Sequence, residues 1–205
     1  MPETGSTLPV PPDARGEDAI VRAILDFVAR VPPSTTPDAA DPAHAAGRLT
    51  LNAARHAGLT AGSLALPPGP LGWLTLVPEL VAIWRIQAQL VSDIAAAHGR
   101  HAALGREAML WCLFRHTAAQ AFRDLAVRMG DRLVFRPASA AALERIARHV
   151  GIVLAGRTAG RGLARWLPLA GALGVGAYAY HDTRAVGRTT LALMQAPPDA
   201  PAPAP

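Results

Sequence analysis

The chain has 205 residues, 51% hydrophobic and 17% charged, with 20 basic side chains against 15 acidic ones and a formal net charge of +5. That length suits one domain with a sizeable core, and a charged share below the roughly 25% of ordinary soluble domains implies a surface that is either small or partly covered by something apolar. The single cysteine, Cys112, excludes an internal disulfide and a cysteine-built zinc site, and it fits a reducing compartment.

The basic excess suits an anionic partner, either lipid headgroups or nucleic acid. All 20 basic residues are arginines, which reads as high-GC codon bias, and they are scattered. Aromatics are only 5% of the chain and do not interleave with the arginines as a single-strand-binding surface requires, so nucleic acid is the disfavoured partner.

Residues 1–16 are rich in Pro, Gly, Ser and Thr, place Glu3 before any basic residue and contain no apolar core. They predict a disordered tail rather than a secretory signal, and hence cytoplasmic retention. Residues 17–31 then set Ile20, Ile24, Phe27, Val28 and Val31 on one face of a short amphipathic helix. A Pro/Ser/Thr-rich linker at 32–41 reads as flexible, which leaves that helix to dock loosely or to engage a partner.

The main helical domain spans 42–194. Asp41 before Pro42 marks a helix start, a side-chain cap followed by a proline in the first turn, and the helix should run to about Ala65. Its small residues recur every four positions, Ala53, Ala57 and Ala61 on one row and Ala54, Gly58 and Gly62 on the next, a pattern that lets another helix approach closely. The stretch LPPGP at 66–70 interrupts it. A second long helix is predicted from Pro78 to Gly99, a third from about Arg106 to Met129, a fourth opening at Pro137 and Ser139, and a last one from about Gly171 to Met194 after a turn near Pro168. In the third, Leu110, Trp111 and Phe114 face inward, while His116, Gln120 and Arg123 fall on the solvated face. Glycines Gly171, Gly174 and Gly176 are expected to form a helix-packing surface. Residues 195–205, QAPPDAPAPAP, predict a second disordered tail. No segment alternates with period two, so the predicted fold is all-α: a compact multi-helix bundle with a glycine-rich helical hairpin.

Neither apolar stretch reads as a simple membrane span. Trp166 to Tyr180 makes only about 22 Å of helix against a hydrocarbon core of roughly 30 Å, and Leu66 to Trp84 is broken by Pro67, Pro68, Pro70 and Pro78. Two buried core segments are the leading reading, peripheral or hairpin-like association with a membrane the second, and true spanning the third.

Polar residues on apolar arcs are the candidate site. On the Pro78 helix Gln87 and His98 fall among Leu80, Trp84, Val91, Ile94 and Ala95, whereas Arg85, Gln89, Ser92 and Asp93 lie opposite. On the last helix Asp182 and Thr189 share a face with Val175, Tyr178, Val186 and Leu193. Buried polar groups need partners, so Gln87, His98 and Asp182 are expected to form an internal cluster, with Arg184 or Arg188 as counter-charges. Such a cluster fixes helix register, or else serves an enzyme. No catalytic residue is assigned, because there is no GxSxG and no Cys/His arrangement. No metal is expected, since His98 and His101 straddle the helix-ending Gly99 and lack a third ligand. No cofactor is expected either: AGALGVGAY has neither a P-loop lysine nor a preceding strand.

The block QAQLVSDIAAAHG, Gln87 to Gly99, and the later WLPLAGALGVGAYAYHDT together resemble the EcsC family, across about residues 45–194. His98 stands where that pattern has an aromatic residue. The resemblance implies a bacterial helical protein, cytoplasmic or on the inner face of the cytoplasmic membrane, without an established enzymatic activity and named after a component encoded beside an ABC transporter. It supplies no catalytic residues. The expected function is therefore a non-catalytic module assisting or regulating a membrane or transport process, with lipid or a membrane protein as partner. The alternatives are a soluble interaction module that forms a homo-oligomer, and an enzyme built on the Gln87, His98 and Asp182 cluster.

Overall fold

A computed structural model describes residues 21–22, 24–27, 30–64, 72–116, 144, 147–148, 152 and 168–196. Within them lie helix α1 (Pro42–Leu64), helix α2 (Gly72–Ala97), a 3-10 turn at His101–Ala103, helix α3 (Arg106–Phe114) and helix α4 (Pro168–Gln195). Residues 21–22 and 24–27 are helical as well, and there is no strand among the described residues. The fold is an all-α bundle. The predicted tail at 1–16, the predicted tail at 195–205 apart from its first two residues, and the chain from 117 to 143 lie outside the described residues, while Gln195 still belongs to the last helix.

The start of α1 follows from its cap: the Asp41 carboxylate accepts the backbone N–H of His44 at 3.0 Å, and Pro42 opens the first turn where no N–H is needed. Helix α2 begins earlier than predicted, at Gly72 rather than Pro78. Pro78 is the seventh residue of this helix, inside it rather than at its first turn, and so does not mark its start. The far end is set by Gly99, whose φ of 63° puts it in the left-handed region. Gly99 N–H bonds to Ala96 O at 2.8 Å and Arg100 N–H to Ala95 O at 2.8 Å, the paired reversal of a Schellman cap.

Helices α1 and α4 run antiparallel and touch through backbone. A Cβ placed on Gly176 would sit 2.8 Å from Gly58 O, one on Gly58 3.1 Å from Gly176 O, and one on Gly62 3.4 Å from Ala172 O. Farther along, Gly187 leaves room for the Thr50 side chain and for nothing larger than hydrogen. Gly176 thus packs as the glycine pattern predicts, whereas a Cβ on Gly174 would meet nothing within 4 Å, so that residue is not part of the packing surface. Gly171 lies in α4, but its surroundings are outside the described residues. The buried row of α4 is Ala172, Ala179, Thr183, Val186, Thr190, Leu193 and Met194. It is rotated from the predicted arc: Tyr178 is 38% exposed and Thr189 only half-buried, because the contact with α1 follows the glycines rather than the bulkiest side chains.

The main core gathers around α3, which is buried from Ala108 through Phe114. Trp84 of α2 stands edge-on to Phe114 at 5.3 Å and tilts against Phe27 at 6.1 Å, joining three elements with one side chain. Ile24 is fully buried in the same core, so the first helix is docked rather than loose. The linker also differs from its composition. Residues 31–39 form no regular secondary structure and are bonded along α2: Ser92 Oγ donates to Pro32 O at 2.7 Å, Gln89 Nε2 to Pro33 O at 3.1 Å, Ser34 Oγ to Asp93 Oδ1 at 2.6 Å, and Ala39 N–H to Ala97 O at 3.0 Å. The α2 residues assigned to the solvated face are what hold this strap.

The close approach gives a direct test by thermal unfolding. Gly176→Ala must push α1 and α4 apart and should cost about 1–3 kcal/mol, or about 2–4 °C in Tm for each kcal/mol. Gly174→Ala, with open space around it, should hold or raise Tm through helix propensity. Equal Tm values for the two variants would contradict the packing described.

Candidate functional site

Gln87 and Asp182 meet where α2 crosses α4. Gln87, 1% exposed, donates through Nε2 to Asp182 Oδ2 at 2.8 Å and to the buried Thr183 Oγ1 at 3.2 Å. A carboxylate only accepts, which fixes the amide with its nitrogen toward α4. The second carboxylate oxygen, Oδ1, lies 2.7 Å from His116 Nε2 at the end of α3. That nitrogen must carry the shared proton, which leaves Nδ1, itself buried, without a hydrogen-bond partner. Asp182 and His116 are about four-fifths covered, with side-chain exposures of 17% and 20%. One carboxylate therefore ties together α2, α3 and α4.

Two predicted members lie elsewhere. His98 Nδ1 bonds at 2.8 Å to Ile94 O, a carbonyl of its own helix one turn earlier, and takes no part in the cluster. The arginines offered as counter-charges do not reach Asp182 either. Arg184 lies over the Tyr180 ring, 5.9 Å from its centroid, and Arg188 is exposed. The partner is His116, which helical phasing assigned to solvent. Because α3 is buried on all sides, phasing could not separate an inner face from an outer one. Thr183 and Thr190 were also missed, although they fall at three- and four-residue spacing with Val186 and Leu193.

The side chains around the cluster are constrained as well. Cys112 lies one turn before His116 and is fully buried, and burial pushes its thiol up from 9.0 to about 12, with the Thr190 hydroxyl and Arg115 acting weakly in the other direction. A thiol so placed stays protonated and is no nucleophile. The Thr190 hydroxyl is spent on Val186 O at 2.9 Å. Among the described residues no group of three or more His, Cys, Asp or Glu is arranged to hold a metal. One open cleft among the described residues lies away from the cluster, between the first helical residues and α2.

Comparison with family models, curated proteins and solved structures finds no match to this chain. The site is therefore read from its geometry alone.

Two measurements test it. Asp182→Ala leaves one Gln87 amide hydrogen and the His116 Nε2–H without an acceptor and should cost about 1–3 kcal/mol, while Gln87→Leu with Asp182→Ala should cost less than the two single changes together; strict additivity in a double-mutant cycle would mean the two groups do not interact. Cys112 should resist a thiol reagent at pH 8 until the chain is unfolded. Because its folded pKa is raised, its contribution to stability is full below pH 9 and is lost as pH rises toward 12. Rapid modification of the native protein would overturn the burial.

Proposed function

We propose that the chain is a non-catalytic, membrane-associated helical protein of the EcsC type, assisting or regulating a membrane or transport process from the cytoplasmic face. The observation that carries this reading is the distribution of charge along the bundle. From Ala57 to Leu64 in α1 and from Pro168 to Tyr180 in α4 there is no charged residue, and from Gly72 to Trp84 in α2 there is one, Glu79. The antiparallel register puts these stretches at one end of the bundle, over about 12 Å of α1 and about 20 Å of α2 and α4. Leu59 and Leu173 are each 75% exposed there, beside the partly exposed Leu64 and Tyr178.

Arginines border this end. Arg55, Arg85 and Arg184 are all exposed, and the pairing of Gly58 with Gly176 and of Gln87 with Thr183 sets them within about one helical turn of a common level. An apolar end with a cationic collar matches a bilayer whose anionic headgroups overlie hydrocarbon. One described helix is long and apolar enough to cross a membrane, at Leu80–Ala97, but 56% of that window is buried inside the bundle, as in a core helix. Association through the bundle's end fits better than spanning.

Both resemblance blocks fall on the helices that the cluster joins: Gln87 lies in one and Asp182 in the other. The surfaces a soluble dimer would use are already occupied within the chain, since Gly58 and Gly62 pack on α4 and Ile24 is buried. Flotation with vesicles is the test. The protein should rise with vesicles containing phosphatidylglycerol, and Leu59→Ser with Leu173→Ser, both exposed positions, should leave most of it at the bottom of the gradient. Complete recovery of the native protein in the soluble fraction, with every vesicle composition, would refute the reading.

A further inference from the structure

Between the first helical residues and α2 lies an open cleft of about 540 Å³, lined by Asp26, Phe27, Arg30, Pro32, Val81, Arg85 and Gln89, with more apolar than polar wall. Its volume falls within the range of small-molecule sites. Val81, Arg85 and Gln89 recur every four residues, so the cleft follows one face of α2 for about 12 Å. Phe27 and Val81 supply the apolar surface, and Phe27 is itself held by Trp84. Gln89 is fixed by its bonds to Pro33 O and to Asp93. Arg30 and Arg85 are exposed, and among the described residues neither makes a hydrogen bond or an ion pair.

The geometry points to a binding site for an anionic amphiphile, a phosphodiester headgroup carrying an acyl chain, held by Arg30 and Arg85 with its chain against Phe27 and Val81. Guanidinium groups pair with phosphate oxygens through directed, charge-assisted bonds. Two guanidiniums and the Asp26 carboxylate leave one net positive charge in the cleft, which matches a phosphodiester, singly charged at neutral pH, whereas free phosphate is a mixture of monoanion and dianion and has no acyl chain for the apolar wall. The ligand's orientation rests on the membrane association proposed above: Arg85 stands on the collar, and Val81 lies one turn nearer the uncharged end, so the headgroup and chain point as they would in a leaflet.

Calorimetric titration of the full chain with a short-chain phosphatidylglycerol, kept below its micelle concentration, tests the site apart from any bilayer. The lipid should bind, and Arg30→Gln and Arg85→Gln, both at exposed positions, should each weaken it by about tenfold. Phosphatidylcholine of the same chain length and inorganic phosphate should bind at least tenfold more weakly. Equal binding of the two lipids, binding of phosphate as tight as that of the lipid, or indifference to both arginine changes would overturn the assignment. The membrane reading fails separately: flotation that depends on Leu59 and Leu173 persists with an empty cleft, and monomeric lipid binding persists without flotation.

Discussion

The contact between α1 and α4 governs the rest of the bundle. Where Gly58 faces Gly176 the two backbones meet with no side chain between them, and the missing Cβ atoms are what permit it. That contact fixes the rotation of α4 about its own axis. Val186, Thr190 and Leu193 then turn into the core, and Thr183 with Asp182 turns toward α2. Had the bulkier Tyr178 set the rotation, the carboxylate would face elsewhere and Gln87 would be buried without an acceptor.

On that frame the polar cluster fastens three helices to one another. Gln87 uses both amide hydrogens on α4, and Asp182 uses both oxygens, one on α2 and one on the end of α3. Buried polar networks of this kind add little net stability over an apolar core, but they penalise every register that separates the partners. Trp84 does the corresponding apolar work one turn away, with Phe27 on one side and Phe114 on the other. The fastened core leaves the uncharged end and its arginine border exposed.

Helix identity and the meeting of α2 with α4 were legible in the sequence, because period, caps and the burial cost of a lone amide are local or nearly local properties. The cap at Asp41 and the exit at Gly99 follow from residue chemistry, as does the pairing of Gln87 with Asp182 from the need of each for a partner. His116 was not legible: when Ala108 through Phe114 are all buried, no polar side exists from which to phase the helix. His98 was misleading for the opposite reason, since its position on an apolar arc said nothing of the Ile94 carbonyl one turn below it. The strap at 31–39 was hidden because its bonds run to Gln89, Ser92 and Asp93, residues whose outward placement looked self-explanatory.

The glycine contact also bears on how the chain folds. Gly58 and Gly176 are separated by more than half of the sequence, so their pairing closes a long loop and contributes nothing until the chain between them is gathered. Helical bundles fold fast when neighbouring helices pair locally, and this one must instead wait for its last helix. The face that stays open longest is the one α1 presents to α4, built of Ala57, Gly58, Ala61 and Gly62. Such a face offers little oily area to other unfinished chains. The residues that let the helices come closest thus also keep the waiting surface from sticking.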